Sequence, residues 1–133
     1  MAAMQATRRN SMKIGDVMRH SGASAKAIRH YEAIGLLGPI ARRGAYRCYT
    51  AQDVAFVQLI RQAQAVGLSL AQLRGLRTAD GSIDWPAVAQ RVRARDAEVA
   101  AEQARLAAQR ARLATVLAEI EHCLQSGAAC PAA

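Results

Sequence analysis

Aromatic residues make up only 4% of the 133-residue chain, and β-branched residues are few, whereas 31 residues are Ala. That balance favours helices and argues against a β-sandwich or barrel. No run of 18 apolar residues occurs, which excludes a membrane-spanning helix, and there is no start of the secretory type, with charged, apolar and small stretches in order. Three Cys are too few for a disulfide scaffold and point to a reducing cytoplasm. The ingredients of catalysis are missing as well. His20, His30 and His122 fall in separate elements; no Ser sits in a nucleophile elbow, no Gly-rich phosphate loop is present, and no paired carboxylates share a pocket. The chain does not read as an enzyme.

Negative charge is scarce in one half. The chain carries 18 Lys and Arg against 10 Asp and Glu, a net charge of +8. Residues 1–50 hold nine of the basic side chains and two acidic ones, a net +7, and the rest holds nine against eight, a net +1. A solvated surface spreads its charge, whereas a module that binds a polyanion concentrates it.

Residues 1–11 lack any apolar period and read as a disordered basic extension. Regular structure is expected from near Met12, where Ile14, Val17, Met18 and Ser21 fall at helical spacing and Gly22 closes a short helix. Ser24 is a candidate N-cap for a second helix that runs to about Ile34 and ends at Gly35. Two short helices joined by Gly22-Ala23-Ser24 fit a helix-turn-helix. On the second, Lys26, Arg29, His30 and Ala33 share one face and Ile28 points away from it, which suits a helix lying in the DNA major groove. Arg42 to Tyr49 then reads as a small hairpin turning at Gly44, a basic wing able to press Arg and Tyr donors onto phosphates.

Thr50 and Asp53 read as a capping box for a third helix ending at Gly67, and Ser69 and Gln72 as another for a short fourth helix ending near Arg77. Residues 78–85 contain the turn signal Asp80-Gly81-Ser82 and read as a hinge. From Pro86 to Leu124, Val92, Val99, Leu106, Leu113 and Ile120 recur every seven residues, with Val88, Val116 and Leu117 beside them and Arg91, Glu98, Arg105, Arg112 and Glu119 on the flanks. At 1.5 Å per residue this helix is about 60 Å long. So long a stripe cannot fold back on so small a domain and calls for an external partner, most economically a second copy in a coiled coil. The fold class expected is therefore mainly α: a winged helix-turn-helix over 12–77, a hinge over 78–85, a dimerisation helix over 86–124 and a tail over 125–133.

Three strings carry a family pattern: Met12-Lys13-Ile14-Gly15-Asp16-Val17, Ala27-Ile28-Arg29-His30-Tyr31-Glu32-Ala33-Ile34-Gly35-Leu36-Leu37 and Tyr46-Arg47-Cys48-Tyr49. Together with Gly67-Leu68-Ser69-Leu70 they resemble the MerR family of bacterial transcriptional regulators, continuously from about Met12 to Leu76. The resemblance implies an antiparallel coiled-coil homodimer bound to a palindromic operator in double-stranded promoter DNA. It also implies an effector that makes the dimer bend and untwist the DNA for RNA polymerase, which is indirect readout used as a switch. Carried over by position, the DNA contacts would be Lys26, Arg29 and Tyr31, with Arg42 or Arg43, Tyr46 and Arg47 on the wing. His30 stands where the family usually has an aromatic, and is either a groove contact or packing.

Cys123 and Cys130 bracket a short loop at the end of the long helix. They look like the metal-binding loop of the family's copper and mercury sensors, with His122 as an added nitrogen ligand. A two-thiolate site suits Cu(I) or Ag(I); Zn, Cd and Hg are less favoured, because the third Cys expected near the start of the long helix is replaced by the stretch Trp85 to Ala89. The four-Cys pattern of an iron–sulfur sensor is absent, and Cys48 reads as a small packed side chain. Two other readings stay open on these residues: a thiol-redox response at Cys123 and Cys130, and a coiled-coil adaptor that binds no DNA.

Overall fold

The computed structural model describes residues 11–127 and Cys130. Residues 1–10 of the expected basic extension and most of the tail lie outside the described residues. Helices α1 (Ile14–Ser21) and α2 (Ala25–Ala33) come first, then strands β1 (Ala41–Arg43) and β2 (Tyr46–Cys48). Helix α3 (Ala51–Ala65), a single 3-10 turn (Ala71–Leu73) and helix α4 (Trp85–Ser126) complete the order. By contacts the chain divides into a unit ending at Val92 and a second beginning at Arg93.

Local sequence sets most of these boundaries. Ser24 caps α2 by accepting a hydrogen bond from the Ala27 N–H at 3.1 Å, and Gly22 and Gly35 take left-handed φ values of 74° and 76° where α1 and α2 end. Thr50 and Asp53 form the expected reciprocal box on α3, the Asp53 N–H donating to Thr50 Oγ1 at 3.1 Å and the Thr50 N–H to Asp53 Oδ2 at 2.8 Å. Regular structure begins at Met12, as expected, with an antiparallel bridge to Tyr49 through hydrogen bonds of 2.8 and 2.7 Å, and helix α1 follows from Ile14. One expectation needs correcting: the fourth helix is only the 3-10 turn. Ser69 and Gln72 do cap it reciprocally, but Arg74 is extended and Gly75 sits at φ 77°, so no helix propagates.

The core lies under these elements. Val17 of α1 and Ile28 of α2 are fully buried, as are Val57 and Ile60 of α3, joined by Leu37, Tyr49, Phe56, Leu73 and Leu76. Val88, in the first turns of α4, belongs to the same cluster at 8% exposure, so it is domain core rather than a free stripe position. Asp84 starts α4 by accepting from the Ala87 N–H at 3.1 Å.

Arg77 ties this domain together. Its guanidinium donates to Asp53 Oδ1 at 2.8 Å, to the Leu37 carbonyl, and through Nε and Nη2 to the Gly81 carbonyl at 3.1 and 2.8 Å. Asp53 is buried and Arg77 mostly so, with side chains 7% and 13% exposed, and the guanidinium lies 5.5 Å from the Phe56 ring centroid. Removing one member strands the other charge in a place water reaches poorly. Arg77→Ala should therefore lower stability by about 3 kcal/mol or more; urea denaturation would read this as a fall in midpoint at unchanged slope.

Candidate nucleic-acid interface

The outward face of α2 is set by its buried one. Because Ile28 and Tyr31 pack inward, Lys26, Arg29 and His30 are left exposed on the opposite side. The wing stands beside this face. Its register pairs Ala41 with Cys48, Arg42 with Arg47 and Arg43 with Tyr46, around a turn in which Gly44 adopts φ 62°. Between helix and wing opens a cleft of about 380 Å³ walled by Lys13, Arg29, Arg42 and Arg47, with Tyr46 and Tyr49. Lys13 Nζ lies 5.3 Å from the Tyr46 ring centroid, and Tyr46 itself is 67% exposed. Four cations and an exposed phenol around an open cleft of that size present donors in the arrangement a phosphate backbone accepts.

Arg42 and Arg47 face each other across the wing, a pairing that repels. An acid behind the cleft offsets it: Glu32 Oε1 lies 2.8 Å from Arg47 Nε. Glu32 Oε2 accepts from the Tyr49 hydroxyl at 3.2 Å. Burial pushes the Tyr49 phenol above its usual range, and the neighbouring Glu32 carboxylate adds to the effect.

The structure thus brings together Arg29, Arg42, Tyr46 and Arg47 of the expected contacts, with Lys26, His30 and Arg43 exposed around them. Tyr31 is the exception and corrects the expectation. It is 5% exposed, in the core, and its hydroxyl donates to Gln64 Oε1 of α3 at 3.2 Å. A side chain committed to the packing of α2 on α3 is not on the groove-facing side. Sequence reasoning missed Lys13, because what brings it to the wing is the Met12–Tyr49 bridge, a long-range pairing with no local signature.

At the far end of α4, Cys123 and Cys130 form a disulfide with a Cα–Cα separation of 5.2 Å, across a turn in which Gly127 takes φ 68°. His122 is exposed. Among the described residues, no group of three or more His, Cys, Asp or Glu converges. On reduction the pair would offer two thiolates, a donor set that fits a two-coordinate soft ion and falls short of the four ligands of a structural zinc site. Cys48, half-buried in β2, is a free thiol. No helix among the described residues is long and apolar enough to cross a membrane.

A family model described as MerR HTH family regulatory protein matches residues 12–80, the whole of the winged domain. The chain belongs to the MerR family. A second model, described as MerR, DNA binding, matches residues 54–116. Among similar proteins, heavy metal-dependent transcription regulator 2 of Rhizobium meliloti (strain 1021) is 41% identical over 66 residues, covering 49% of this chain and 45% of that protein. The HTH-type transcriptional regulator CueR of Yersinia pestis is 42% identical over 66 residues, covering 49% of this chain and 48% of its own. This MerR-family chain thus spans about half the length of the curated relatives it matches. Those relatives are transcription regulators, not enzymes. Among solved structures, the transcription regulator PbrR691 from Ralstonia metallidurans CH34, in complex with lead(II), superposes with a TM-score of 0.59 at 26% identity, over 81% of this chain and 86% of that one.

Proposed function

We propose that this chain is a cytoplasmic transcription regulator that binds promoter DNA as a homodimer and responds to a soft metal ion. The observation that carries the reading is the cationic cleft between α2 and the wing, with α2 presenting Lys26, Arg29 and His30 beside it. In this reading α2 enters the major groove and the wing arginines take phosphates on its flank. Two such hands need a fixed spacing on a palindromic operator. The stripe of Val92, Val99, Leu106, Leu113 and Ile120, between 39% and 63% exposed in the single chain, supplies it when two α4 helices pair. The dimer then holds the DNA between the promoter elements read by RNA polymerase and, on binding effector, bends and untwists it.

The effector site rests on Cys123 and Cys130, and the names of the relatives, heavy metal-dependent regulators and CueR among them, favour a metal over other ligands. In the reduced chain the two thiolates would hold a monovalent soft ion such as Cu(I) or Ag(I), which would supply a two-coordinate link closing the loop, with one negative charge left on the unit. Zn(II) and Cd(II), which look for further ligands, would bind less well; Hg(II) is less favoured because the third Cys of the family's divalent sensors is replaced by the stretch Trp85 to Ala89, and no iron–sulfur cluster would form. The test is titration of the reduced protein with Ag(I), Cu(I), Zn(II) and Cd(II). One monovalent ion per chain is expected. Cys123→Ser with Cys130→Ser should lose that ion yet still bind DNA, and retained stoichiometric binding would end the metal assignment.

A second reading has its own support, since the same two sulfurs are joined in the structure. In that case the dithiol–disulfide change is itself the signal, and an oxidant in metal-free buffer would alter the DNA complex of the native chain but not of the double Ser variant.

A further inference from the structure

Behind the wing sits a side chain whose charge is wrong for a surface that meets phosphate. Glu32 lies near the end of α2, three residues after Arg29, and its side chain is 17% exposed. Each carboxylate oxygen has its own partner: Oε2 accepts from the Tyr49 hydroxyl at 3.2 Å, and Oε1 lies 2.8 Å from Arg47 Nε. Tyr49 is fully buried and anchored at its backbone to Met12, so the carboxylate is held from below by an immobile phenol. Arg47 is different. Its Nε is buried and in charge contact with Glu32 without an aligned hydrogen bond, while the side chain as a whole is 39% exposed. What solvent sees of Arg47 is therefore other than the edge that faces Glu32.

From this arrangement we infer that Glu32 is a positioning residue for DNA binding, gripping Arg47 by its Nε edge so that the rest of the guanidinium is presented to a phosphate in the cleft. The inference rests on the DNA-binding reading above. The physical reason is the two-sidedness of Arg. A planar guanidinium can be held by a carboxylate on one edge and still donate from another, which a Lys ammonium, a single compact charge, does poorly. The wing needs such a grip. Arg42 lies directly opposite Arg47, and without a counter-charge the two would swing apart into solvent, each losing rotamer freedom again when DNA arrives. An acid in a DNA-facing cleft would ordinarily weaken binding by repelling phosphate, so the sign of its effect separates a positioning role from an incidental one.

The test measures binding of the full chain to a fluorescently labelled mixed-sequence duplex across a range of salt concentrations, with thermal unfolding recorded for every variant. Glu32→Gln keeps the shape and the acceptor for Tyr49 but removes the charge. It should weaken binding several-fold and lower the steepness of log K against log salt by about two, one phosphate contact being lost from each wing of the dimer. Arg47→Ala should do the same, and the double variant should be no worse than either single one, because both remove the same contact. Arg47→Lys, which keeps the charge and leaves Glu32 and its Tyr49 contact in place, should bind nearly as poorly as Arg47→Ala. Tighter or unchanged binding by Glu32→Gln, additive losses in the double variant, or native binding by Arg47→Lys would each overturn the assignment. A native chain that binds no duplex at all would instead take down the DNA-binding reading on which it stands.

Discussion

Arg29→Ala is expected to erase the difference between an operator and a scrambled duplex in an electrophoretic shift assay, leaving a weak, salt-sensitive complex with both. Arg29 sits on the outward face of α2 and also walls the cleft, so in the proposed complex it lies where the groove-facing helix and the wing meet. A bidentate Arg contact to a base edge discriminates by about 1–3 kcal/mol. A dimer loses it in both half-sites, which doubles the deficit to about 2–6 kcal/mol, or from roughly thirty-fold to roughly twenty-thousand-fold in affinity. That range covers much of the margin by which specific sites are usually preferred over bulk DNA. The dimer should stay intact, since Arg29 lies far from the stripe on α4 in sequence and on a different element. An unchanged operator preference would refute the role given to α2.

Leu106→Lys combined with Leu113→Lys should convert a dimer into monomers of 14.2 kDa in analytical ultracentrifugation. Both leucines are largely uncovered in the single chain, at 46% and 63% exposure, so the substitutions take nothing from the domain core and the winged unit should keep its unfolding midpoint. In a paired stripe, by contrast, each introduced ammonium would be desolvated next to its counterpart, at a cost of several kcal/mol per charge. Four such charges in one seam exceed what the surrounding alanines and valines can recover. A dimer that persists would remove the coiled coil and, with it, the spacing of the two DNA-binding units.

Much of this was readable from residue order, and the reasons differ by element. Caps and glycines are local chemistry, so Ser24, Thr50 with Asp53, and Gly22 set the helix ends where their side chains and φ values demand. The heptad stripe is periodic over five turns of the pattern and survives any uncertainty in a single position. The fourth helix failed for a reason that is also local: the capping box was real, but Gly75 and an extended Arg74 two residues on outweigh a good start. Tyr31 illustrates the opposite problem. On a helical wheel it lies within reach of the Arg29 face, and only the position of Gln64 on α3, 33 residues away, shows that the phenol is used for packing. Lys13 and Glu32 were likewise invisible, because the contacts that recruit them to the cleft, Met12 with Tyr49 and Tyr49 with Glu32, close loops of 37 and 17 residues.

The turn between Arg77 and Asp84 looks loose by composition, yet it is fastened at several points. Ser82 and Thr78 donate to the Asp80 carboxyl, which holds it ionised down to about pH 2, the Thr78 N–H donates to the Ser82 carbonyl at 2.8 Å, and the Asp84 N–H donates to the Leu76 carbonyl at 2.8 Å. With Arg77 clamped between Asp53 and Gly81, flexing here would expose a stranded carboxylate at the head of α3. The junction is thus hydrogen-bonded on one side to the winged domain, through Arg77 and Leu76, and on the other leads directly into the first turn of α4, which Asp84 caps.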